Sequence, residues 1–515
     1  MPRPLSLALA AVSTLLAAAP APLTAAAPQP ASQHSGVWTA HHENVLGTSL
    51  ELRVRAASDS AAHRAEQAAL AEFDRQSNIL SAWNPQSEFS RWQSTRRSAV
   101  PVSPELLMTL ARFDHWLRQT GGLLNAAAAD AAQLWQHAAA TGERPTPAIL
   151  EASADRMRQP QWQLDAFHRT ATRLTASPLV LASFTKSRIT AAAADAALRA
   201  GASGVMLNVG GDIVLRGDMA ERVSIADPAA DAENDAPLDT VLLRDRAIAT
   251  SGGYRRSVTL DSEQISHLID PRTAEPARAV LSATVVAPDA EQAGALATAL
   301  AIASPAEARA LLCDSPSADA LILYRGGERL QTPNWARLQE PRLDRTVFRA
   351  AANRPASAPA AAVWNQNYDL TIKLNLPRLD DPRYRRPYVA VWIEDENKYP
   401  VRTVALWFQK PKWLDELKTW YRDDRLRNLT EGTDLSRTIS SATRAPGAYT
   451  LKWDGKDNEG KLVKPGKYTV CVEAAREHGG YGLSRYKMDF NGTPQQTTLP
   501  AQPEIGTVQL DYAKR

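Results

Sequence analysis

The chain has 515 residues, of which 44% are hydrophobic and 22% are charged, a balance that is typical of globular proteins and excludes a disordered or fibrous chain. Lysine and arginine (59) nearly balance aspartate and glutamate (56), so the net charge of +3 gives no electrostatic reason to expect nucleic-acid binding. Two cysteines, Cys313 and Cys471, are too few for a disulfide framework or a zinc cluster.

The first residues have the pattern of a secretory signal peptide. Arg3 gives a positive start, an apolar run covers residues 5–19, and small residues follow. We therefore predict a signal peptide at 1–27 and a periplasmic protein. The alternative is an N-terminal membrane anchor, but the apolar run is short for a span and is followed by Pro20 and Pro22. The sequence has no second long apolar stretch, which predicts no transmembrane helix in the mature chain.

Helical and strand-like patterns alternate between residues 37 and 345. Apolar residues at three- and four-residue spacing predict helices, and runs rich in β-branched residues predict strands. The predicted helices cover 58–75, 103–119, 190–201 and 289–302, and the predicted strands cover 45–55, 205–216, 239–243 and 281–287. The glycine pair Gly210-Gly211 alternatively marks a hairpin turn inside 205–216. This mixed order predicts an α+β domain.

The composition and the hydrophobic pattern of the sequence change after this region. Residues 346–362 are rich in alanine, proline and serine, which predicts an inter-domain linker. Residues 363–515 then contain short strand-like runs separated by turn signals such as Asp454-Gly455. The runs are 368–374, 388–394, 402–409, 449–452, 467–474 and 507–512. They predict an all-β immunoglobulin-like sandwich, with one amphipathic helix at 413–421.

The first domain carries short motifs that are weak singly and specific as an ordered set. In chain order they read LGTSLELRV (46–54), FDRQSNILSAWNPQSEFSRW (73–92), TGGLLN (120–125), TKSRITAAAADAA (185–197), GASGVMLNVGGDIVLRG (201–217), AIATSGGYRRS (247–257), SHLIDPRTAEP (266–276) and ALATALAI (295–302). In this order they resemble the ApbE family, the exported FAD:protein FMN transferases. The resemblance implies an ApbE-like flavin transferase fold for residues 37–345.

The resemblance also implies a reaction. FAD is the substrate and a divalent cation, Mg²⁺, is the cofactor. A threonine hydroxyl of a periplasmic acceptor protein attacks the FMN phosphorus, AMP leaves, and FMN remains on the threonine as a phosphoester. Such transfer depends on positioning and on neutralising charge at the phosphates. A carboxylate, a hydroxyl and a backbone carbonyl are a sufficient protein share of a Mg²⁺ site.

Individual residues match positions that have roles in the family. The positions that match flavin-binding residues are Leu46, Trp83, Leu123, Leu124, Asn125, Lys186 and Ile269. Lys186 and His267 match catalytic positions. Ser183, through its carbonyl, and Thr298, through its hydroxyl, match metal ligands. The loop that contains His267 ends in Ala274, where the family has glycine.

The sequence departs from the family where the metal is held. The metal-binding aspartate four residues before Thr298 is Gly294 here, and the glycine after the motif lysine is Ser187. A Mg²⁺ site without its carboxylate is expected to bind weakly, unless Asp289 or Glu291 supplies one. The departures leave open an alternative function, a degenerate, non-catalytic flavin-binding or protein-interaction module.

Residues 363–515 resemble the DUF2271 family of periplasmic β-sandwich domains. The resemblance rests on residues 388–417, 440–481 and 504–512. Acceptor threonines of ApbE enzymes lie in a pattern close to D-x-x-[ST]-G-A-T, which Ser440, Ala442 and Thr443 match in part. We therefore expect Thr443 to be a candidate flavin acceptor, with an ordinary polar loop as the alternative. The implied partners are a flavin nucleotide and a periplasmic acceptor protein, with this chain's own C-terminal domain as one candidate.

Overall fold

The computed structural model describes residues 36–253, 257–261, 263–339, 364–380, 384–409, 411–431, 435, 440–441, 443–477 and 479–515. The predicted signal peptide (1–27) and linker (346–362) lie outside these residues. We refer to residues 36–339 as the N-terminal domain and to residues 364–515 as the C-terminal domain, because each has its own hydrophobic core.

Several helices in the described residues begin at serine or threonine caps. The side chains of Ser58, Ser103 and Ser304 each accept a hydrogen bond from a backbone N–H of the first turn. The α-helices are α1 (Asp59–Leu80), α2 (Glu88–Gln93), α3 (Pro104–Gln119), α4 (Ala129–Thr141), α5 (Pro147–Arg158), α6 (Ala182–Arg199), α7 (Ala290–Leu300), α8 (Pro305–Cys313), α9 (Trp335–Leu338) and α10 (Lys418–Glu431). Short 3-10 helices cover Ala126–Ala128 and Pro411–Glu416.

Strands make up most of the remaining structure. Those of the N-terminal domain are β1 (Val37–Val45), β2 (Thr48–Arg55), β3 (Ala99–Pro101), β4 (Trp162–Asp165), β5 (Thr170–Arg173), β6 (Gly204–Val209), β7 (Asp212–Gly217), β8 (Ala220–Ile225), β9 (Asp239–Arg244), β10 (Ala247–Ser251), β11 (Ser257–Leu260), β12 (Glu263–Ser266), β13 (Ile269–Asp270), β14 (Glu275–Pro276), β15 (Val280–Ala287), β16 (Asp319–Tyr324) and β17 (Arg329–Gln331). Those of the C-terminal domain are β18 (Tyr368–Leu376), β19 (Tyr388–Glu394), β20 (Pro400–Trp407), β21 (Ser440–Ser441), β22 (Gly447–Trp453), β23 (Gly466–Ala475), β24 (Tyr481–Phe490), β25 (Gln495–Leu499) and β26 (Val508–Lys514).

A single antiparallel sheet organises the N-terminal domain. Its order is β1-β2-β6-β7-β10-β15-β16-β17. One face packs against α1, α6 and α7, whose buried positions include many alanines and therefore allow close approach. The other face packs against β8, β9 and the buried Trp335 of α9. Since both faces are covered, β15 is buried along almost its whole length.

The structure corrects three sequence predictions in this domain. The predicted strand 205–216 is two strands, β6 and β7, joined at Gly210-Gly211, which confirms the alternative of a hairpin turn. The helix predicted at 190–201 begins at Ala182, so that Ser183 and Lys186 lie on α6. The strand predicted at 45–55 begins at Thr48, after a turn that joins it to β1, a strand that the sequence pattern did not predict.

The C-terminal domain contains two facing sheets, as the strand-like runs predicted. Their orders are β22-β18-β26-β25 and β21-β20-β19-β23-β24. An aromatic core that includes Trp364, Trp453 and Phe490 lies between them. A second cluster, with Trp392 and Trp420, lies between the outer face of the five-stranded sheet and α10. The helix predicted at 413–421 is a 3-10 turn followed by α10, which is longer than predicted.

Helices of membrane-spanning length and apolarity do not occur among the described residues.

Candidate functional site

Lys186 and Asp212 form the charged centre of the candidate site. Lys186 lies in the second turn of α6, and Asp212 is the first residue of β7, directly after the Gly210-Gly211 turn. The Lys186 Nζ lies 3.1 Å from the Asp212 Oδ1, and the two side chains are 31% and 10% exposed. The ammonium therefore reaches solvent while the carboxylate below it is almost buried, an arrangement that presents one positive charge to an anionic ligand.

Ser187 engages the second oxygen of the same carboxylate. Its Oγ donates a hydrogen bond to the Asp212 Oδ2 over 2.6 Å, and both residues are buried. Both carboxylate oxygens of Asp212 therefore have a partner on α6. This connection fixes the first turns of α6 to the β6–β7 hairpin and holds Lys186 in place.

The β1–β2 turn lies beside the β6–β7 turn. β2 pairs with β6, and the backbone N–H of Gly210 donates to the Ser49 carbonyl over 3.1 Å. A Cβ on Gly210 would lie 2.6 Å from the Thr48 Oγ1, and Gly210 has φ +56°, so glycine is required there. Leu46, with φ +51°, forms this β1–β2 turn. The predicted flavin contact Leu46 therefore lies at the same end of the sheet as Asp212.

The two predicted metal ligands are neighbours. The Thr298 Oγ1 lies 3.0 Å from the Ser183 carbonyl oxygen and 3.0 Å from the Gly294 carbonyl oxygen. The hydroxyl thus donates to a backbone carbonyl that the resemblance assigns to the metal. In the described part of the chain, no group of three or more His, Cys, Asp or Glu side chains is placed to hold a metal ion.

Gly294 lies where α7 crosses α6, and this crossing leaves no space for a side chain. A Cβ at Gly294 would lie 2.5 Å from the Ser187 Oγ, 3.1 Å from the Ser187 Cβ and 3.2 Å from the Phe184 Cα. Such distances are below normal carbon contacts, and the Phe184 atom belongs to a backbone that cannot rotate away. The two departures from the family motif, Gly294 and Ser187, therefore belong to one contact.

Asp289 and Glu291 do not supply the missing carboxylate, contrary to that alternative expectation. Asp289 caps α7, its side chain accepting the Glu291 N–H over 2.9 Å. The Glu291 Oε1 accepts from the Arg112 Nε at 2.5 Å and from the Trp116 Nε1 at 2.8 Å. Both carboxylates are engaged elsewhere. The donor set therefore consists of neutral oxygens and does not fit a Mg²⁺ site, which needs hard anionic oxygen.

The predicted flavin-binding segment 123–125 points into the protein. Leu123 and Leu124 are 2% and 1% exposed and belong to the hydrophobic core. The Asn125 side chain accepts from the Ala127 N–H over 2.8 Å and donates to the Met157 carbonyl over 2.9 Å. This segment therefore offers a ligand only its backbone.

His267 lies between β12 and β13 and Ile269 begins β13, whereas Lys186 lies on α6. His267 is exposed, and Ile269 is buried in the short β13. Asp270 holds this loop by accepting from the Arg272 Nη2 over 2.7 Å. Ala274 has φ +62°, a left-handed conformation that favours the glycine found in the family.

Trp83 and Thr443 lie on other elements. Trp83 follows α1 and is 76% exposed, so its ring is accessible for stacking. Thr443 is 2% exposed, and its hydroxyl donates to a carboxylate oxygen of Glu43 on β1. Arg386 also contacts Glu43, with its Nε 3.4 Å from the Oε2. Glu43 lies three residues before Leu46 in the sequence.

Sequence reasoning missed Asp212 and Glu43. Asp212 has a sequence signal, an acidic residue directly after a Gly-Gly turn, but the motif that contains it assigns it no role. Glu43 carried no signal, since it lies on β1, which was not predicted, and its partner Thr443 is distant in the sequence.

Family models match both domains. The model of the ApbE family matches residues 46–322. The model of the family described as predicted periplasmic protein (DUF2271) matches residues 369–507.

Similar proteins carry the name FAD:protein FMN transferase. One from Treponema pallidum is 28% identical over 311 residues, which are 55% of this chain and 83% of that protein. Another, from Klebsiella pneumoniae, is 37% identical over 131 residues, which are 24% of this chain and 37% of that protein. The second match therefore covers well under two thirds of the relative's own length.

Solved structures share the fold. The ApbE protein of Thermotoga maritima superimposes with a TM-score of 0.53 at 22% identity, covering 59% of this chain and all of that chain. The apo form of the flavinyl transferase ApbE of Pseudomonas stutzeri gives a TM-score of 0.50 at 18% identity, covering 59% of this chain and 98% of that chain. At such identities the similarity shows the fold.

Proposed function

This chain belongs to the ApbE family, as the order of its motifs predicted, and from that premise we propose that it transfers FMN from FAD to a threonine hydroxyl of a periplasmic protein. By family resemblance the chain is an FAD:protein FMN transferase. The acceptor threonine, the release of AMP and the periplasmic location are parts of the proposal. The DUF2271 match, described as a predicted periplasmic protein, supports the location.

The observation that carries the proposal is the Lys186–Asp212 pair beside the turn that contains Leu46. It combines an accessible ammonium with an adjoining apolar turn, the two features that a flavin nucleotide requires for its phosphates and its ring system. Trp83, exposed near the end of α1, supplies an aromatic surface for a planar ring. His267 stays a predicted catalytic residue.

The chemistry follows from these groups. The threonine oxygen attacks the FMN phosphorus, the bond from that phosphorus to the AMP oxygen breaks, and the hydroxyl proton passes to water when the acceptor is a separate protein. Negative charge increases on the departing AMP phosphate. In this proposal the Lys186 ammonium neutralises that charge, and Asp212 and Ser187 hold it in position. We derive no step through a metal ion, because the donor set does not fit one.

Thr443 is proposed as an acceptor within the same chain. Its hydroxyl meets the Glu43 carboxylate, a group that can take the proton, and Glu43 lies on the strand that ends at the Leu46 turn. Because Thr443 is 2% exposed, transfer to it requires its contact with β1 to open first. An external acceptor threonine requires no such opening.

Mass spectrometry tests the transfer. The purified chain is incubated with FAD and a separately produced fragment of a protein that a related transferase flavinylates. Both proteins are then digested and analysed. We expect an FMN phosphoester on the acceptor threonine, and on Thr443 if the chain modifies itself. A Thr443→Ala variant should lose only the second product. A flavin-free acceptor after prolonged incubation would contradict the proposed activity.

A second candidate function is a non-catalytic flavin-binding protein. The specific observation in its favour is Gly294, which removes the carboxylate that the family uses at the metal. The two functions differ in one product: the transferase releases AMP from FAD in the presence of acceptor, whereas the non-catalytic protein binds FAD and returns it unchanged.

A further inference from the structure

The contact between α6 and α7 closes the space where the family holds a divalent cation. We propose that flavin nucleotide binding to this chain is independent of divalent cations. In this proposal Ser187 fills the cation site, and the Lys186 ammonium supplies the positive charge. The statement about ligand binding rests on the proposed function. The statement about the closed site does not.

The first step of the argument is steric. A Cβ on residue 294 would lie only 2.5 Å from the Ser187 Oγ. The serine side chain therefore already fills the space between the two helices. Gly294 and Ser187 are both buried. An aspartate at 294 therefore requires the Ser187 side chain to move or to be absent.

The second step is the satisfaction of the polar groups. The Ser187 hydroxyl donates to Asp212, Asp212 pairs with Lys186, and the Thr298 hydroxyl donates to the Ser183 carbonyl. The serine hydroxyl, the carboxylate and the threonine hydroxyl each have a partner without a metal ion. A cation that entered would have to break these hydrogen bonds and would find no unpaired carboxylate.

The third step concerns charge. Within the part of the chain that the structure describes, the Lys186 Nζ has one ion-pair partner, the Asp212 Oδ1 at 3.1 Å, and its side chain is 31% exposed. An ammonium carries three donors, so donors remain for a phosphate oxygen. The ion pair with Asp212, itself bonded by Ser187, holds this partly exposed ammonium in one place, where it provides a fixed positive charge for an anionic ligand.

Binding of Mn²⁺ alone tests the closed site without any flavin. Electron paramagnetic resonance of free Mn²⁺ is recorded while the wild-type full-length chain is titrated, and again with Ser187→Gly, Gly294→Asp and the double variant. We expect no Mn²⁺ binding by the wild type and a site in the double variant, because only that variant has both the carboxylate and the space for it. One equivalent of Mn²⁺ bound by the wild type, or a folded double variant that binds none, overturns the proposal.

Flavin binding tests the role of Lys186. FAD fluorescence is titrated with protein in excess EDTA and in excess MgCl₂, and the two dissociation constants are expected to agree within twofold. Lys186→Ala should weaken binding about 10- to 100-fold, as loss of a charged hydrogen bond does. The matched control is Arg199→Ala at the far end of the same helix, which should change affinity less than twofold.

The outcomes separate this inference from the proposed function. Binding seen only with MgCl₂ overturns the cation independence and keeps the flavin site. If FAD binds in neither buffer, flavin binding itself fails, and the Mn²⁺ titration still decides whether the site is closed.

Discussion

At the scale of single residues, positions 187 and 294 behave as one unit. Ser187 fills the space that a side chain at Gly294 would need, and the serine hydroxyl bonds to Asp212. The sequence showed both departures, and it indicated a weakened metal site, but it did not show that they touch, because they lie more than one hundred residues apart. Only the crossing of α6 and α7 reveals that restoring an aspartate at position 294 alone creates a steric conflict.

Gly294→Asp alone is therefore expected to destabilise the protein. Inserting a side chain into this filled crossing should lower the free energy of unfolding by about 1–3 kcal/mol. Adding Ser187→Gly should recover much of the loss, so the two effects are non-additive. Urea denaturation of the wild type, the two single variants and the double variant measures these changes in the free energy of unfolding. A single Gly294→Asp variant as stable as the wild type would show that the helices move apart readily.

A buried histidine makes the stability depend on pH. His41 is 1% exposed and packs edge-on against Phe408 at 5.4 Å, and burial lowers its pKa to about 4. In the unfolded chain its pKa is about 6.5. The unfolded state therefore binds a proton first as pH falls, so stability is lost between about pH 6.5 and pH 4 and levels off below that.

The expected size of this loss is about 3 kcal/mol for the single group. A His41→Leu variant should lack this part of the pH dependence, and the exposed His137→Leu should keep it. The measurement is the free energy of unfolding from urea denaturation at pH 4, 5, 6 and 7. Parallel curves for His41→Leu and the wild type would contradict a neutral buried His41.

At the scale of secondary-structure elements, α10 is held on its sheet by one buried carboxylate. Glu473 of β23 accepts the Thr419 N–H over 2.9 Å and the Trp420 N–H over 2.8 Å, at the N-terminal end of α10. Tyr481 donates its hydroxyl to the same carboxylate over 2.8 Å. Burial raises the pKa of Glu473. The carboxylate satisfies helix N–H groups that have no partner within the helix.

Glu473→Gln should loosen α10. The amide NH₂ would face backbone donors, so at least one buried N–H loses its acceptor, at a cost of about 1–3 kcal/mol in the free energy of unfolding. The exposed Glu396→Gln serves as control and should change it by less than about 0.5 kcal/mol. Thermal or urea unfolding compares the two. Equal stability of both variants would show that the contact with α10 contributes little.

Elements with a strong local pattern were predictable, and elements decided by tertiary packing were not. α1 and α3 start at serine caps before apolar periodic runs, and both were predicted nearly in place. α6 was predicted to start eight residues late, because residues 182–189 contain serine, threonine and phenylalanine, which favour helices weakly. Phe184 and Ile189 are buried, so packing decides the helix there. β1 was missed because polar residues interrupt its pattern.

At the scale of the whole molecule, each domain covers an edge of the other. β1 is the edge strand of the large sheet, and the His41 N–H donates to the Gln409 carbonyl over 2.6 Å. β22 is the edge of the four-stranded sheet. Asn234 exchanges two hydrogen bonds with the Lys452 backbone, at 2.7 and 2.8 Å. Exposed strand edges can pair with other chains and aggregate, so the coverage of these edges protects both sheets from such pairing.

Asn234→Ala should uncover the edge of β22 locally. The Lys452 N–H donates to the Asn234 Oδ1, so its amide hydrogen exchange should accelerate about tenfold when that acceptor is removed. Hydrogen–deuterium exchange with residue-level detection measures this. The control Asn491→Ala, whose side chain accepts from the Thr493 N–H instead, should leave Lys452 unchanged. Unaltered exchange in Asn234→Ala would contradict an edge protected by this loop.

The sequence predicted the two fold types and the family, and the family is confirmed by the model match to residues 46–322. It also named Ser183, Lys186 and Thr298, which lie on the packed helices α6 and α7, and Leu46, in the β1–β2 turn; their roles stay predictions. It did not predict Asp212 as the centre or the contact of Thr443 with Glu43. Both depend on how surfaces dock, which has no local sequence pattern.

The quantity of AMP released from FAD tests the central claim most directly. The full-length chain, FAD and an acceptor domain are incubated, and AMP and acceptor-bound FMN are quantified by chromatography against incubations without chain or without acceptor. We predict that AMP and acceptor-bound FMN appear in equal amounts when chain and acceptor are both present, beyond any AMP that self-modification at Thr443 releases from the chain alone. FAD that binds the chain and is recovered intact, with neither AMP nor covalent FMN formed, would contradict the transferase function.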